Sequence, residues 1–301
     1  MLAMSALANR PFVRMNGLGN EIVVVDMRAQ PGAITAADAR AAAQPQGVPF
    51  DQLMILHAPR TPGTDAYVRI YNRDGSEAGA CGNGMRCITE LLFKETGRET
   101  FSFETRAGII NCWKGSLPLT WTVDMGKPRF AWNEIPLAEK FDDTRAIELE
   151  IGPRGSPLLH SPSALSMGNP HVIFWVGDVS RHDLGRIGPL LEHHPMFPEG
   201  VNASLAQVIS RAHIKLRTWE RGAGLTKACG SAACAAAVGA ARLRRAGRRV
   251  TVTLPGGDLA IEWREADEHV TMTGPVEYEL EGHFDPALFG KTADCGSGSA
   301  A

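Results

Sequence analysis

The chain has 301 residues, of which 44% are apolar and 21% are charged. At roughly 150 residues per domain, this length predicts two domains that each bury a core. The 31 basic and 33 acidic residues leave a formal charge of −2, which argues against a nucleic-acid-binding protein. No apolar run approaches the ~20 residues of a membrane span, and the start MLAMSALANRPF is unlike a signal peptide. We therefore expect a cytoplasmic protein that binds neither nucleic acid nor membrane.

Short runs of branched and aromatic residues, bounded by Gly, Pro, Asn or Asp, predict many β-strands and two main helices. In chain order these are strands at 22–26, 53–56, 67–71, a helix at 83–96, strands at 100–104 and 109–113, then strands at 171–176, 207–210 and 214–219, a helix at 231–246, and strands at 250–254, 259–263 and 269–273. Each helix is entered through a glycine and is predicted to end near Gly97 or Gly247. The elements predict an α+β fold.

The two halves of the chain repeat each other. Segments 71–82 and 219–230 align without a gap at an offset of 148, and both end in Ala-Cys-Gly. Matches at offsets of 149 to 150 are Gly19-Asn20 with Gly168-Asn169, Gln52 with Asn202, and Trp113 with Trp263. We interpret this as a duplication of 12–125 in 161–274, with a Pro- and Gly-rich connector at 126–160. A pseudo-two-fold relation then places matching segments across a cleft.

Two of the six cysteines hold matching places in the repeat. The six are Cys81, Cys87, Cys112, Cys229, Cys234 and Cys295. No pair has Cys-x-x-Cys spacing, so we predict no metal site, and most of the six are expected to be buried free thiols. Cys81 and Cys229 each precede a helix, where unpaired N–H groups bind anions and lower a thiol pKa from ~8.5 to ~3.5–7.5.

Two such thiols on opposite sides of one carbon can invert it, one as thiolate removing a proton and the other as thiol donating one. The paired polar residues Asn20, Asn169, Gln52 and Asn202 are candidate substrate ligands, and Glu220 and Arg221 suit an ammonium and a carboxylate. The alternatives are equally simple, because Gly-Asn is an ordinary turn and Glu-Arg is commonly a solvated pair. By itself, His171 would be a structural histidine.

The chain contains the motifs MNGLGN (15–20), YNRDGSE (71–77), CGNGMRC (81–87), GNPH (168–171), ERGAG (220–224) and ACG (228–230). Together these motifs resemble those of the diaminopimelate epimerase family, and the resemblance runs from about residue 12 to 282. It implies a cofactor-independent isomerase that interconverts LL- and meso-2,6-diaminopimelate, in lysine and peptidoglycan-precursor synthesis.

The resemblance also implies roles for individual residues. Cys81 and Cys229 would be the acid/base thiols, and His171 and Glu220 would tune them and hold the reacting end of the substrate. Substrate contacts are expected from Asn20, Gln52, Asn72, Gly82, Asn83, Asn169, Asn202, Glu220, Arg221, Gly230 and Ser231. The two Cys-Gly helix starts would hold the reacting carboxylate by their backbone N–H groups.

The implied fold has two pseudo-symmetric lobes, each a barrel-like sheet wrapped round a central helix. The lobes would comprise 1–125 with 275–301, and 126–274, because a last strand near 275–280 returns to the first lobe. A homodimer is expected, although Leu280 stands where the family has a dimer-contact tyrosine. The tail from about residue 291 has no counterpart and is expected to be disordered.

Four other interpretations account for part of the sequence. A proline or hydroxyproline racemase shares the lobes and the thiol pair, but GNPH (168–171) argues against it. An isomerase with a carboxylate base would lack the cysteine pair, and a two-lobed amino-acid-binding protein would not need the thiols. A redox-sensing dithiol protein would show thiol chemistry without turnover.

Overall fold

A computed structural model of the chain describes residues 5–153 and 155–289. The tail that the sequence predicts to be disordered, from about residue 291, lies outside the described residues, as does Cys295. Within 5–153 and 155–289, no helix is long and apolar enough to span a membrane. Strands dominate and helices are few, which confirms the predicted α+β class.

Nineteen strands and four α-helices make up these residues. The strands are β1 Pro11–Asn16, β2 Glu21–Asp26, β3 Gln52–His57, β4 Ala66–Asn72, β5 Glu77–Ala78, β6 Thr100–Thr105, β7 Gly108–Lys114, β8 Thr120–Asp124, β9 Glu150–Ile151, β10 Leu159–His160, β11 Ser163–Ser166, β12 Pro170–Trp175, β13 Asn202–Ser210, β14 His213–Glu220, β15 Gly224–Leu225, β16 Arg249–Leu254, β17 Gly257–Trp263, β18 Val270–Pro275 and β19 Glu277–His283. The helices are α1 Ala36–Ala42, α2 Gly82–Thr96, α3 Leu184–Glu192 and α4 Gly230–Arg242, and a 3-10 turn spans Pro286–Phe289.

The strand pairing repeats between the two halves. In the first half β1 pairs with β2, β2 runs parallel to β3, β3 pairs with β4, and β4 runs parallel to β6, which continues into β7 and β8. In the second half β11, β12, β13, β14, β16, β17 and β18 follow the same sequence of antiparallel and parallel pairings. The duplication read from the sequence is therefore a structural repeat.

The two halves join where the equivalent strands β8 and β18 pair antiparallel, from Thr120↔Pro275 to Asp124↔Thr271. At the middle of this pairing, the hydroxyls of Thr122 and Thr273 hydrogen-bond at 2.7 Å. After β18 the chain crosses back, and β19 pairs with β1 of the first half. One sheet thus passes continuously through both lobes.

Each lobe wraps its strands around one central helix. The sequence of α4 is mostly alanine, and residues 232–240 are all buried, because small side chains let surrounding strands approach the helix closely. Gly239 illustrates this, since a Cβ there would lie 3.2 Å from the Trp175 ring. Buried residues of α2 and α4 belong to a single apolar cluster, so the core continues from one lobe into the other.

Differences from the predicted elements have local causes. Helix α4 ends at Arg242 and not near Gly247, because Arg244 adopts a left-handed conformation with φ of 57°. Helix α3 was not predicted, since it contains Gly185, Gly188 and Pro189. Helix α1 was also missed, although Thr35 and Asp38 form a capping box that its sequence signals. The described residues of the connector 126–160 hold two short strands, β9 and β10, which pair antiparallel.

Trp121 of β8 contacts α2, and substituting it tests how much this contact stabilises the first lobe. Its side chain is 1% exposed, and its indole N–H donates to Glu90 of α2 at 2.8 Å. We expect Trp121→Phe to lower the free energy of unfolding by about 2–4 kcal/mol, because it leaves a void and a buried carboxylate without its donor. Urea unfolding measures this, with Trp113→Phe on the neighbouring strand as the control. Equal losses for both variants would contradict the assignment.

Candidate active site

Cys81 is the N-cap of α2 and lies partly exposed at the inner end of the first lobe. Its sulfur accepts the Gly84 backbone N–H at 3.3 Å, and the thiol faces the Gln52 Oε1 atom at 3.7 Å. Gln52 in turn donates to Asn72 at 3.4 Å. Two of the predicted polar residues of this half, Gln52 and Asn72, therefore form a connected group with the thiol.

Cys229 is the N-cap of α4 and is 4% exposed. Its sulfur lies 3.5 Å from the Ser231 hydroxyl, which accepts from Asn169 at 3.3 Å. The Asn169 Oδ1 atom is 2.9 Å from Nε2 of His171. A chain of side chains thus connects the second thiol to the buried histidine.

The two helix starts meet across the junction between the lobes. Asn83, near the start of α2, donates to the Ala228 carbonyl, next to Cys229, at 3.3 Å. Met272 of β18 packs against both starts, since a Cβ on Gly82 would lie 2.6 Å from its Cε and one on Gly230 would lie 2.7 Å from its Sδ. The glycines after both cysteines are therefore required by this packing.

Glu220 ends β14 beside both thiols. Thr226 donates a short hydrogen bond to its Oε1 atom, its carboxyl group faces Cys229, and its charge acts on Cys81. Burial raises the pKa of Glu220 above its usual range. This carboxyl group is thus placed to exchange a proton with a neighbouring thiol.

Three other predicted ligands, Asn20, Asn202 and Arg221, differ in exposure and in their hydrogen-bond partners. Asn202 is buried, donates to the Pro170 carbonyl at 3.0 Å and accepts the Arg221 N–H at 3.0 Å. The exposed Arg221 side chain donates to the Glu199 carbonyl at 2.7 Å. Asn20 precedes β2, and its Oδ1 atom is buried without a hydrogen-bond partner in the described residues. Asn202 and Arg221 thus hydrogen-bond to each other and to backbone carbonyls, and in the described residues no hydrogen bond joins Asn20, Asn202 or Arg221 to either cysteine.

The thiol pKa values differ in direction from those predicted. Burial raises the pKa of Cys81 to about 11, although the Gly84 N–H and the charge of Arg86 lower it. Burial and the neighbouring Glu220 raise the pKa of Cys229 further. The helix-start donors act as the sequence predicted, but desolvation outweighs them, so the prediction of a net lowering was wrong.

Three contributors were missed by the sequence reasoning. Met272 and Arg86 are buried next to the helix starts, and Thr226 fixes Glu220. Only Arg86 had a signal, because it lies in the quoted segment CGNGMRC (81–87). Met272 and Thr226 belong to no polar motif, so only the three-dimensional packing identifies them.

No cluster of three or more His, Cys, Asp or Glu side chains that could hold a metal ion occurs within 5–153 and 155–289. A cavity of ≈ 370 Å³ lies beside the site, between the loop with Leu18 and Gly19 and the second-lobe residues Lys227 and Gly256. A larger one, of ≈ 560 Å³, lies at the other end of α4 beside Arg242 and Trp263. The larger cavity is therefore remote from the thiols.

The family model and the similar proteins that match this chain carry the same family description. The family model described as "Diaminopimelate epimerase" matches residues 12–131 and 163–279. The diaminopimelate epimerase of Nitrobacter hamburgensis is 63% identical over 290 residues, covering 96% of this chain and 100% of that protein. That of Rhodopseudomonas palustris is 63% identical over 291 residues, covering 97% and 99%.

Solved structures support the fold. A hydroxyproline epimerase from Agrobacterium vitis superposes with a TM-score of 0.66 at 15% identity, covering 94% of this chain and 95% of that one. A phenazine biosynthesis protein from Bacillus anthracis gives 0.65 at 15% identity, with coverages of 91% and 98%. The predicted fold of two lobes is therefore confirmed.

The burial of His171 can be tested by the pH dependence of unfolding. His171 is 0% exposed, and burial, with the charge of Arg221, lowers its pKa to about 3. The pKa of histidine in the unfolded chain is ~6.5, so between this pH and pH about 3 only the unfolded chain binds the proton. This contribution to the free energy of unfolding is therefore lost as the pH falls, by ~1.4 kcal/mol per pH unit. We expect His171→Gln to weaken the acid dependence of urea unfolding between pH 7 and 5. An unchanged dependence would contradict a buried neutral histidine.

Proposed function

The chain belongs to the diaminopimelate epimerase family, and we propose that it inverts one α-carbon of 2,6-diaminopimelate by proton transfer between Cys81 and Cys229. It is an isomerase, and its reaction interconverts the LL and meso isomers. The observation that carries the mechanism is the meeting of two thiol-capped helix starts, tied by the Asn83 contact to the Ala228 carbonyl at 3.3 Å. We assign the described residues 5–125 and 275–289 to the first lobe, and 126–153 and 155–274 to the second.

The reaction needs no change in the number of protons on the protein. One cysteine, as thiolate, forms an S–H bond while the Cα–H bond breaks, and the electron pair stays on the substrate. The other cysteine, as thiol, then gives its proton to the opposite face of that carbon. The two thiols exchange protonation states in each turnover, so the same pair serves both directions of the reaction.

Neutral-pH chemistry requires one of two buried thiols to ionise. Burial raises the pKa of both thiols, which makes an ionised thiolate a strong base once it forms. The carboxyl group of Glu220 faces Cys229, and its own pKa is raised by burial. We assign Glu220 as the group that accepts and returns the Cys229 proton, with His171 and Asn169 orienting Ser231 beside that thiol.

The negative charge formed at the substrate needs donors fixed in advance. We assign this role to the backbone N–H groups at Gly82-Asn83 and Gly230-Ser231, since each preorganised donor contributes roughly 2.7–4 kcal/mol in measured cases. The amides of Asn20, Gln52, Asn72 and Asn202, with Arg221, then recognise the distal amino-acid end. No cofactor enters this scheme.

Deuterium exchange tests the mechanism directly. Reduced protein is incubated with LL-diaminopimelate in D₂O, and we expect loss of the α-proton NMR signal together with formation of the meso isomer. Because both thiols are needed, Cys81→Ala and Cys229→Ala should each lower the rate at least ~100-fold. Cys112→Ala, which removes a buried thiol of β7, is the matched control and should retain most of the activity.

Two outcomes would overturn this proposal. Exchange with 4-hydroxyproline but not with diaminopimelate would assign the chain to the racemases that share its fold. Equal activity of Cys81→Ala and Cys112→Ala would exclude the two-thiol mechanism while leaving the substrate assignment intact.

We also propose a cytoplasmic location and a homodimer. The five cysteines among the described residues are free, and the reaction requires Cys81 and Cys229 to remain reduced, as a reducing compartment ensures. Within the described residues β19 pairs with β1 alone, so its other edge is open to a second copy. Leu280 on this strand is 45% exposed.

The dimer proposal is tested by light scattering after size exclusion. We expect the wild type at twice the mass of 32.4 kDa. Leu280→Asp should shift the population toward monomer, because a buried charge at the interface is costly. The exposed Leu158→Asp in the connector serves as the control. A monomeric wild type would refute the proposal.

A further inference from the structure

Arg86 is a buried cation without a counter-ion. Its side chain is 0% exposed, and no carboxylate lies within ion-pair distance of it in the described chain. Its Nε and Nη2 atoms have no hydrogen-bond partner, and Nη1 faces only the Met272 sulfur at 3.8 Å. A guanidinium keeps its proton even when buried. Such an unpaired charge is costly, so its retention calls for a role other than packing.

The carboxylate expected from the sequence to pair with Arg86 does not neutralise its charge. Glu90 lies four residues later on α2, at the spacing of an intrahelical ion pair, but accepts from Trp121 instead. The Arg86 side chain extends toward the start of α2, as helical side chains do. A Cβ on Gly17 would lie 3.2 Å from the Asn83 Cβ and 3.4 Å from Nη2 of Arg86, which places the guanidinium beside the first turn.

The groups facing this cation are thiols. The titratable groups whose charges act on it are Cys81 at the N-cap of α2, Cys87 of α2, Cys112 of β7 and Cys234 of α4. Glu220 is the carboxylate whose charge acts on Cys81 from the second lobe. At the offset of 148 that relates the two halves, the equivalent of Arg86 is Cys234, so only the first half supplies a charge here.

Met272 connects the cation to both helix starts. Its sulfur contacts Arg86 on one side, and on the other it would meet Cβ atoms on Gly82 and Gly230. Arg86 is therefore separated from the place where the two helix starts converge by a single apolar side chain. In such a water-poor interior, a fixed positive charge acts over this distance with little screening.

Resting on the function proposed above, we propose that Arg86 is a positioning residue whose buried charge stabilises the Cys81 thiolate and the negative charge formed on the substrate. It does not touch the substrate and acts through the electric field at the helix starts. This role explains why the charge is left unpaired, since a carboxylate partner would cancel the field.

Two measurements on Arg86→Met test this proposal, because the alkylation rate of Cys81 should fall while the urea midpoint of unfolding should not. Losing a cation near a thiol raises its pKa by about 1–3, so the alkylation rate of Cys81 by iodoacetamide at pH 8 should fall 10-fold or more. The urea midpoint of unfolding should stay equal or rise, because replacing an unpaired buried charge by an apolar side chain removes a desolvation cost. Cys229, quantified by peptide mass spectrometry in the same sample, is the internal control and should change less than ~3-fold.

Further readouts separate an electrostatic role from a structural one. In the epimerase assay kcat should fall at least 10-fold while KM stays within ~3-fold, because Arg86 makes no substrate contact. Arg86→Gln, also neutral, should behave like Arg86→Met. A lower urea midpoint with an unchanged Cys81 rate would overturn the proposal.

The alkylation measurement does not require turnover. If the wild type fails to epimerise diaminopimelate, the proposed function is refuted, while a selective loss of Cys81 reactivity still supports the electrostatic role. If Arg86→Met and Arg86→Gln both alkylate Cys81 at the wild-type rate, the electrostatic role is refuted even in an active epimerase.

Discussion

The constraint on which this molecule depends is the convergence of two helix N-termini at the junction of its lobes. Strands β8 and β18 pair across that junction, and each lobe wraps its sheet around one helix that begins there. Unpaired N–H groups of both helices therefore face one small volume, which creates a region of positive potential. In the proposed mechanism, the cysteines at both N-caps place the acid and base chemistry at the same point.

This convergence has an electrostatic cost. The volume is buried, and desolvation raises the pKa of both thiols above the value of a free cysteine. Backbone donors and the unpaired charge of Arg86 act in the opposite direction. A proton on carbon is barely acidic, so a strong thiolate base and fixed donors for the developing charge are both needed. In the proposed mechanism, burial provides the first, and the helix starts with Arg86 provide the second.

The close packing of the junction follows from the same constraint. Gly82 and Gly230 let Met272 reach both helix starts, and the alanines of α4 let the strands of the second lobe close around it. The geometry proposed for catalysis and the hydrophobic core are therefore built from the same contacts. A substitution at this junction affects packing and field together, which is why unfolding and thiol reactivity have to be measured side by side.

The sequence by itself determined the class of fold, the duplication and both helices that begin after a cysteine, because these recur at a nearly constant offset and carry local signals for strands, turns and helix starts. It also identified Gln52, Asn72, Asn169 and Ser231, which the structure connects to the two thiols. It did not determine the end of α4, the helix α3 with Gly188 and Pro189, or the contribution of Met272, since these depend on neighbours distant in the chain. Only the tertiary structure decided the direction of the thiol pKa values and the unpaired state of Arg86, because desolvation and charge pairing are properties of the packed interior.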